Sequence, residues 1–170
     1  MKKILTIFGG SGFLGKSFVD CFQNGNLEKF NIGELNIISR SAATKFKFNE
    51  NSKVRSFNYD FSNKQGQLPS RTDYIISAVD HASYDFYNKS FNNNKIIENV
   101  IELTQKKYDN PQTLYVSSGA VYGQQKEFIG FEESFNNPDY SSFSNEKKKY
   151  ALSKYNFEKA YKEISNINCK

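Results

Sequence analysis

The chain opens with a short apolar run, residues 4–8, in which Ile4, Thr6 and Ile7 are β-branched; Lys3 precedes it and Gly9-Gly10 follows. Such a run suits a strand buried on both faces of a parallel sheet. Phe13, Leu14, Phe18, Cys21 and Phe22 then recur at helical spacing up to Asn24-Gly25, which predicts a helix closed by a turn. The same patterning predicts strands over 35–39 (LNIIS), 53–59 (KVRSFNY), 74–79 (YIISAV) and 113–117 (TLYVS). It predicts a helix over 89–107, carried by Phe91, Ile96, Ile97, Val100, Ile101 and Leu103 and ending before Pro111. A lysine-rich helix over 146–164 carries Tyr150, Leu152, Phe157, Ala160, Tyr161 and Ile164. Residues 135–144 read as a polar loop, and 167–169 as the start of a sixth strand. Strands alternating with helices imply an α/β fold, a doubly wound parallel sheet with right-handed crossovers. The connections after the second and third strands are short, so one face is thinly covered. A length of 170 residues without repeats is one domain, 1–170, with room for a core.

Gly9, Gly12 and Gly15 fall between the first strand and the first helix with the spacing G-x-x-G-x-x-G. Gly9 permits the tight turn out of the strand, Gly12 lets a pyrophosphate approach the backbone, and Gly15 allows close helix–strand packing. The helix start then offers free N–H groups and a positive dipole end to phosphates. A glycine-rich turn that binds nothing is the plain alternative, but the flanking strand and amphipathic helix favour a dinucleotide-binding turn. Phe13 and Leu14, at the head of that helix, join the three glycines as cofactor contacts.

Ligands of a doubly wound sheet sit at the carboxyl ends of the strands, near the point where strand order reverses. After the second strand, a carboxylate would bind the adenosine ribose of NAD; here Ser39 and Arg40 stand there. Without an acid nothing repels a 2′-phosphate, and Arg40 can bind it, so NADP is the preferred cofactor and NAD the alternative. A solvated surface arginine is the plain reading. Asp60 and Phe61 follow the third strand, where they can meet the adenine; equally, Asp60 can be a cap or turn aspartate.

Composition changes this picture little. Phe (16) and Tyr (11) must supply much of the core, because Met is single and Trp absent. The net charge of +5 invites a nucleic-acid partner. Only Lys147-Lys148-Lys149 is dense, however, and no RNA-binding aromatic motif accompanies it, so no nucleic-acid partner is expected. Lys, Asn, Ile, Phe and Tyr, all encoded by A/T-rich codons, are abundant together, which accounts for the lysines. Cys21 and Cys169 suggest neither a disulfide framework nor a metal site. With no signal peptide or spanning segment in view, the expected location is the cytoplasm, with no membrane partner. His81 and the pair Glu132-Glu133 read as solvated loop residues, His81 bordering the substrate at most.

The chemistry lies in SSGAVYG, residues 117–123, and YALSK, residues 150–154. Tyr150 and Lys154, at i and i+4, share one helix face. A phenol ordinarily ionises at about 10; a neighbouring ammonium favours the phenolate and makes it a usable acid–base at neutral pH. A serine at an adjacent strand end can hydrogen-bond the same substrate oxygen. Tyr155 and Lys159 match the same spacing and can equally be helix surface.

The glycine turn, Asp60, SSGAVYG and YALSK, in this order and over nearly the whole chain, resemble the extended short-chain dehydrogenase/reductase family, the NAD-dependent epimerase/dehydratase group. The resemblance implies a Rossmann fold and an NAD(P)-dependent oxidoreductase or 4-epimerase acting on a nucleotide-activated sugar. It implies Ser118, Tyr150 and Lys154 as the catalytic residues, with Tyr150 and Lys154 also touching the cofactor. Ser153 and Glu158 fit the family pattern around that tyrosine and lysine, which favours this pair over Tyr155 and Lys159. Ala78 and Val79 then pack against the cofactor, and Asn93 and Asn99 match a family pair. Helices 89–107 and 146–164 correspond to those that pair in a homodimer. Dehydratases of the family carry an Asp-Glu pair where Gly119 and Ala120 stand, so elimination of water is not expected. Relatives continue into a C-terminal substrate lobe that is missing here, which leaves a non-catalytic dinucleotide-binding or interaction domain as the alternative.

Overall fold

The computed structural model describes residues 1–48, 52–79, 93–109, 111–124 and 138–168; of 93, 94 and 164–168 it describes the backbone alone. The chain divides into two compact units. The first joins Met1–Asp80 to Asn94–Val116, and the second joins His81–Asn93 to Ser117–Lys170.

The first unit holds β1 (Lys3–Phe8), α1 (Phe13–Gln23), β2 (Ile32–Ser39), α2 (Ala42–Lys45), β3 (Val54–Asp60), β4 (Gln65–Gly66), β5 (Tyr74–Ser77), all but the first residue of α3 (Asn93–Glu102), and β6 (Gln112–Tyr115). The sheet runs β4-β3-β2-β1-β5-β6. β3, β2, β1, β5 and β6 pair in parallel, and β4 returns antiparallel along β3. The chain thus winds outward from β1 through β2 and β3, then returns to the other side of β1 for β5 and β6. Strand order reverses between β1 and β5, as in a doubly wound Rossmann sheet.

Alternation along the strands builds two cores. Leu5 and Ile7 of β1 join Leu35 and Ile37 of β2, Ile76 of β5 and Val19 of α1, with Phe18, Cys21 and Phe22 packed alongside. The alternate residues point to the other face. There the ring of Phe8 lies 5.0 Å from Phe61 and 6.5 Å from Tyr108, and Phe61 meets Tyr59 at 5.1 Å. Aromatic rings therefore supply much of this second core. On the same face Asn36 Nδ2 donates to Thr6 Oγ1 at 3.2 Å, both side chains buried and directly paired across β1 and β2. A slip of one residue would leave both groups unsatisfied, so the pair fixes the register.

Several boundaries differ from the sequence reading. β5 stops at Ser77, leaving Ala78 and Val79 in the turn beyond it, and β6 covers Gln112–Tyr115. α3 continues as a π-helical turn, Leu103–Lys107. The β2–β3 crossover carries only the four-residue α2, and the β3–β5 connection carries the short β4, which no alternation announced. In the second unit a 3-10 turn, Gly119–Tyr122, packs against α4 (Asn145–Asn168). Ile167 and Asn168, expected to open a sixth strand, belong to α4. No Gly or Pro interrupts 145–168, so nothing stops the helix earlier. Cys169 lies outside the described residues, as do 89–92 of the long helix expected before β6.

Two features hold the first unit's frame. Asp73, just before β5, accepts from the Ile4 N–H at 2.9 Å, Lys3 Nζ at 3.3 Å and Arg71 Nη2 at 3.1 Å. Burial pushes its carboxyl up, but the Ile4 N–H and the two cations outweigh it and hold the group below its ordinary range. At the other end of β1, Gly9 has φ +77°, and a Cβ there would stand 2.5 Å from the Ala78 carbonyl oxygen. Gly15 is tighter still, since its Cβ would fall 1.6 Å from the Gly10 oxygen.

Two outcomes are expected. Because the folded pKa of Asp73 is depressed, its contribution is present above the unfolded value of about 3.9 and lost as pH falls through the folded one. Asp73→Asn should cost about 1–2 kcal/mol at pH 7, and the gap to the parent should close below about pH 4. A pH-independent gap in denaturant titrations would contradict this. Gly15→Ala should lower the melting temperature by about 2–12 °C. Gly12→Ala, whose Cβ would meet only the Gly9 oxygen at 3.7 Å, should cost no more than about 1 kcal/mol. Calorimetry that ranks the two substitutions the other way round overturns the packing account.

Candidate functional site

In the first unit the candidate residues gather at the carboxyl end of β1. The Gly9 and Gly10 N–H groups both donate to the Ile38 carbonyl, at 2.9 and 3.0 Å, which fixes the turn against β2. Ala78 N–H donates to Phe8 O at 2.9 Å, so Ala78 and Val79 form the wall on the β5 side, touching Gly9. α1 begins at Phe13 with no side-chain cap on it. Lys16 N–H to Gly12 O is its first bond of helical type, so the Phe13, Leu14 and Gly15 amides precede the helical ladder. The space above Gly12 is open apart from the Gly9 oxygen. Phe13 is 83% exposed and Leu14 is also exposed, so neither belongs to the core face that their helical spacing suggested.

Ser39 at the end of β2 is buried, and its Oγ accepts from Ser41 N–H at 3.2 Å. Arg40 is exposed and makes no ion pair among the described residues. Asp60 at the end of β3 shapes a turn, one carboxylate oxygen accepting from Ser62 N–H at 2.8 Å and Ser62 Oγ–H at 2.6 Å. Of the two readings of this residue, the turn aspartate has its hydrogen bonds in place. The ring of Phe61 is buried in the aromatic core. Asn99 of α3, itself buried, donates to Phe61 O at 2.7 Å and so ties the helix to this turn. A hollow of about 210 Å³ lined by Lys64, Asn99, Glu102, Leu103, Lys106 and Lys107 touches none of the glycine-turn residues.

In the second unit Ser118 is extended and caps the 3-10 turn, its Oγ accepting from Ala120 N–H at 3.2 Å. That bond uses a lone pair and leaves the hydroxyl proton for another acceptor. On α4, Lys154 is only 5% exposed and Tyr150 is half-buried, with Lys154 Nζ 5.8 Å from the Tyr150 ring centroid. The competing pair has the opposite character, Tyr155 at 38% exposure and Lys159 fully on the solvent side. A buried lysine is costly unless its charge is used, and the helix buries only this one of the two. Ser153 is buried beside it.

His81 and Glu132-Glu133 lie outside the described residues, and of Asn93 only the backbone is described. Among the described residues no group of His, Cys, Asp and Glu could hold a metal ion, and no helix is long and apolar enough to cross a membrane. Two contributors went unnoticed in the sequence. Gly10 is crowded by the Ile37 side chain, which its Cβ would meet at 2.8 Å; it is the off-register glycine of the run. Tyr140 hydrogen-bonds the Ser118 turn from a loop whose sequence only reads as polar.

Comparison with known proteins agrees with this architecture. No curated protein matches the chain. Among solved structures, dTDP-glucose 4,6-dehydratase from Bacillus anthracis str. Ames, in complex with NAD, matches with a TM-score of 0.61 and 18% identity, over 96% of this chain and 51% of that one. The DesIV double mutant from Streptomyces venezuelae, a dTDP-glucose 4,6-dehydratase with NAD and DAU bound, matches at 0.67 and 17%, over 92% and 49%. UDP-N-acetylglucosamine 4-epimerase from Bacillus cereus matches at 0.62 and 16%, over 98% and 55%. These likenesses establish the fold, and the chain spans about half the length of those structures. The model of the NAD dependent epimerase/dehydratase family matches residues 5–168. The chain belongs to the NAD dependent epimerase/dehydratase family.

Proposed function

We propose that this protein is an NAD(P)-dependent epimerase or reductase acting on a nucleotide-activated sugar, by 4-epimerisation or reduction of a keto sugar. The observation that carries the reading is the contrast on α4. Tyr150 and Lys154 lie on its buried side, whereas Tyr155 and Lys159 face solvent.

The glycine turn fits a dinucleotide. Open space over Gly12 admits a pyrophosphate that a Cβ would crowd, and the amides at the start of α1 face it. Phe13 and Leu14 present exposed apolar surface beside that space, and Ala78 and Val79 wall it on the β5 side. Arg40, exposed and without an ion pair among the described residues, supports NADP over NAD. Asp60 contributes the turn at the adenine end, with Phe61 buttressing it from the core. The bound nicotinamide supplies hydride acceptance and donation. Tyr150 takes or gives the proton of the sugar hydroxyl, Lys154 sets its ammonium beside that phenol and holds the ribose, and the Ser118 hydroxyl proton polarises the same oxygen. Gly119 and Ala120 offer no carboxyl group for removing water, which argues for chemistry without elimination. We also propose a cytoplasmic homodimer, with Leu152 and Tyr155 of α4 as exposed apolar surface for a second copy.

Tyr150→Phe should lower kcat on the nucleotide sugar about 10²–10⁴-fold while leaving NADPH affinity within about twofold. Steady-state turnover and fluorescence titration read the two quantities. Parent-like turnover by the variant sinks the assignment of Tyr150.

A further inference from the structure

The turn that Ser118 leads is a weak piece of structure by itself. It is a single 3-10 turn, closed by Val121 N–H to Ser118 O and Gly123 N–H to Ala120 O, both at 3.1 Å. Short 3-10 turns have poor hydrogen-bond geometry and little intrinsic stability. Something outside the turn must hold it if Ser118 is to stand in one place.

A strap, residues 138–140, supplies the hold. Gln124 N–H donates to Asp139 O at 2.8 Å, and Gly123 and Asp139 form a parallel bridge. The two backbones approach so closely that a Cβ on Gly123, which has φ +77°, would stand 2.6 Å from the Asp139 oxygen. The Asp139 carboxylate accepts from Ser141 N–H at 2.9 Å and shapes the strap's own turn. Next to it Tyr140 Oη–H donates to the Val121 carbonyl at 2.8 Å, and the Tyr140 ring packs 5.5 Å from Phe143. Burial, then the neighbouring Tyr155 and Glu158, push the Tyr140 phenol above its ordinary pKa. It therefore stays a donor throughout the neutral range. Tyr155 and Glu158 belong to α4, just beyond Lys154, and the Ser118 turn that Tyr140 holds packs against this helix.

We propose that Tyr140 is a positioning residue: by clamping the Val121 carbonyl it fixes the Ser118 turn against the Tyr150–Lys154 segment of α4. The proposal rests on the reading of Ser118, Tyr150 and Lys154 given above.

The test uses the full 170-residue chain. Tyr140→Phe removes the hydroxyl and keeps the ring on Phe143. Hydrogen exchange at the Val121 and Gly123 amides should quicken about tenfold, the loss of one hydrogen bond, with the β1, β2 and β5 amides unchanged. On the nucleotide sugar, kcat should fall about tenfold or more while KM and NADPH affinity hold, because misplacing a reacting group slows chemistry without weakening binding. Gly123→Ala pushes the strap away from its other side and should give the same local exchange signature. Unchanged exchange in both variants overturns the clamp. Faster exchange with parent-like kcat overturns the positioning role. A parent chain that binds NADPH but turns over no nucleotide sugar sinks the catalytic reading and the positioning role with it, while exchange still reports whether the clamp exists.

Discussion

The first unit depends on how closely three backbones approach at the carboxyl end of β1. Gly9 and Gly10 are spent on the Ile38 carbonyl, the Ala78 amide on Phe8, and the Gly15 Cα lies on the Gly10 carbonyl. This packing uses the Gly9 and Gly10 amides of the turn itself. What remains unspent is the start of α1, delivered to the point where strand order reverses. A side chain at Gly9 or Gly15 would push strand, turn and helix apart, and the helix amides would no longer converge on one place. Open space at Gly12 is the complement of that crowding: two glycines make the fold possible, and the third leaves room for a ligand.

The second unit is organised around a buried cation. Lys154 is buried, and its ammonium lies 5.8 Å from the centre of the Tyr150 ring. Retaining a buried lysine for stability is a poor bargain, since apolar replacements usually pack as well or better. The proposed chemistry gives such a lysine a use, since it calls for an ammonium beside a phenol. Ser118, with one lone pair tied to the Ala120 amide, keeps a proton to offer in the same unit.

The sequence made the strand–turn–helix start, the parallel sheet and the Tyr150–Lys154 spacing legible, because each rests on periodicity or on glycine at a fixed offset. Spacing alone did not distinguish Tyr150–Lys154 from Tyr155–Lys159; Ser153 and Glu158 favoured the first pair through the family resemblance, and burial, which is tertiary, separates the two pairs in the structure. Phe13 and Leu14 kept helical spacing with the core residues, yet they lie exposed at the helix start. β4 is two residues long, too short for any alternation to register. Ile167 and Asn168 look like strand residues but continue a helix that has no breaker before them. Tyr140 was hidden for a different reason: its partner is a backbone carbonyl, and a backbone carbonyl has no signature in sequence.

The central claim is that the turn after β1 binds a dinucleotide. It is tested most directly by equilibrium titration of the chain with NADPH and NADH, followed by nicotinamide fluorescence. Saturable binding of both, tighter for NADPH, is the predicted result. Tighter binding of NADH would overturn the role given to Arg40 and keep the site. No saturable binding of either nucleotide up to about millimolar concentration, the weak end of specific affinities, would contradict the account.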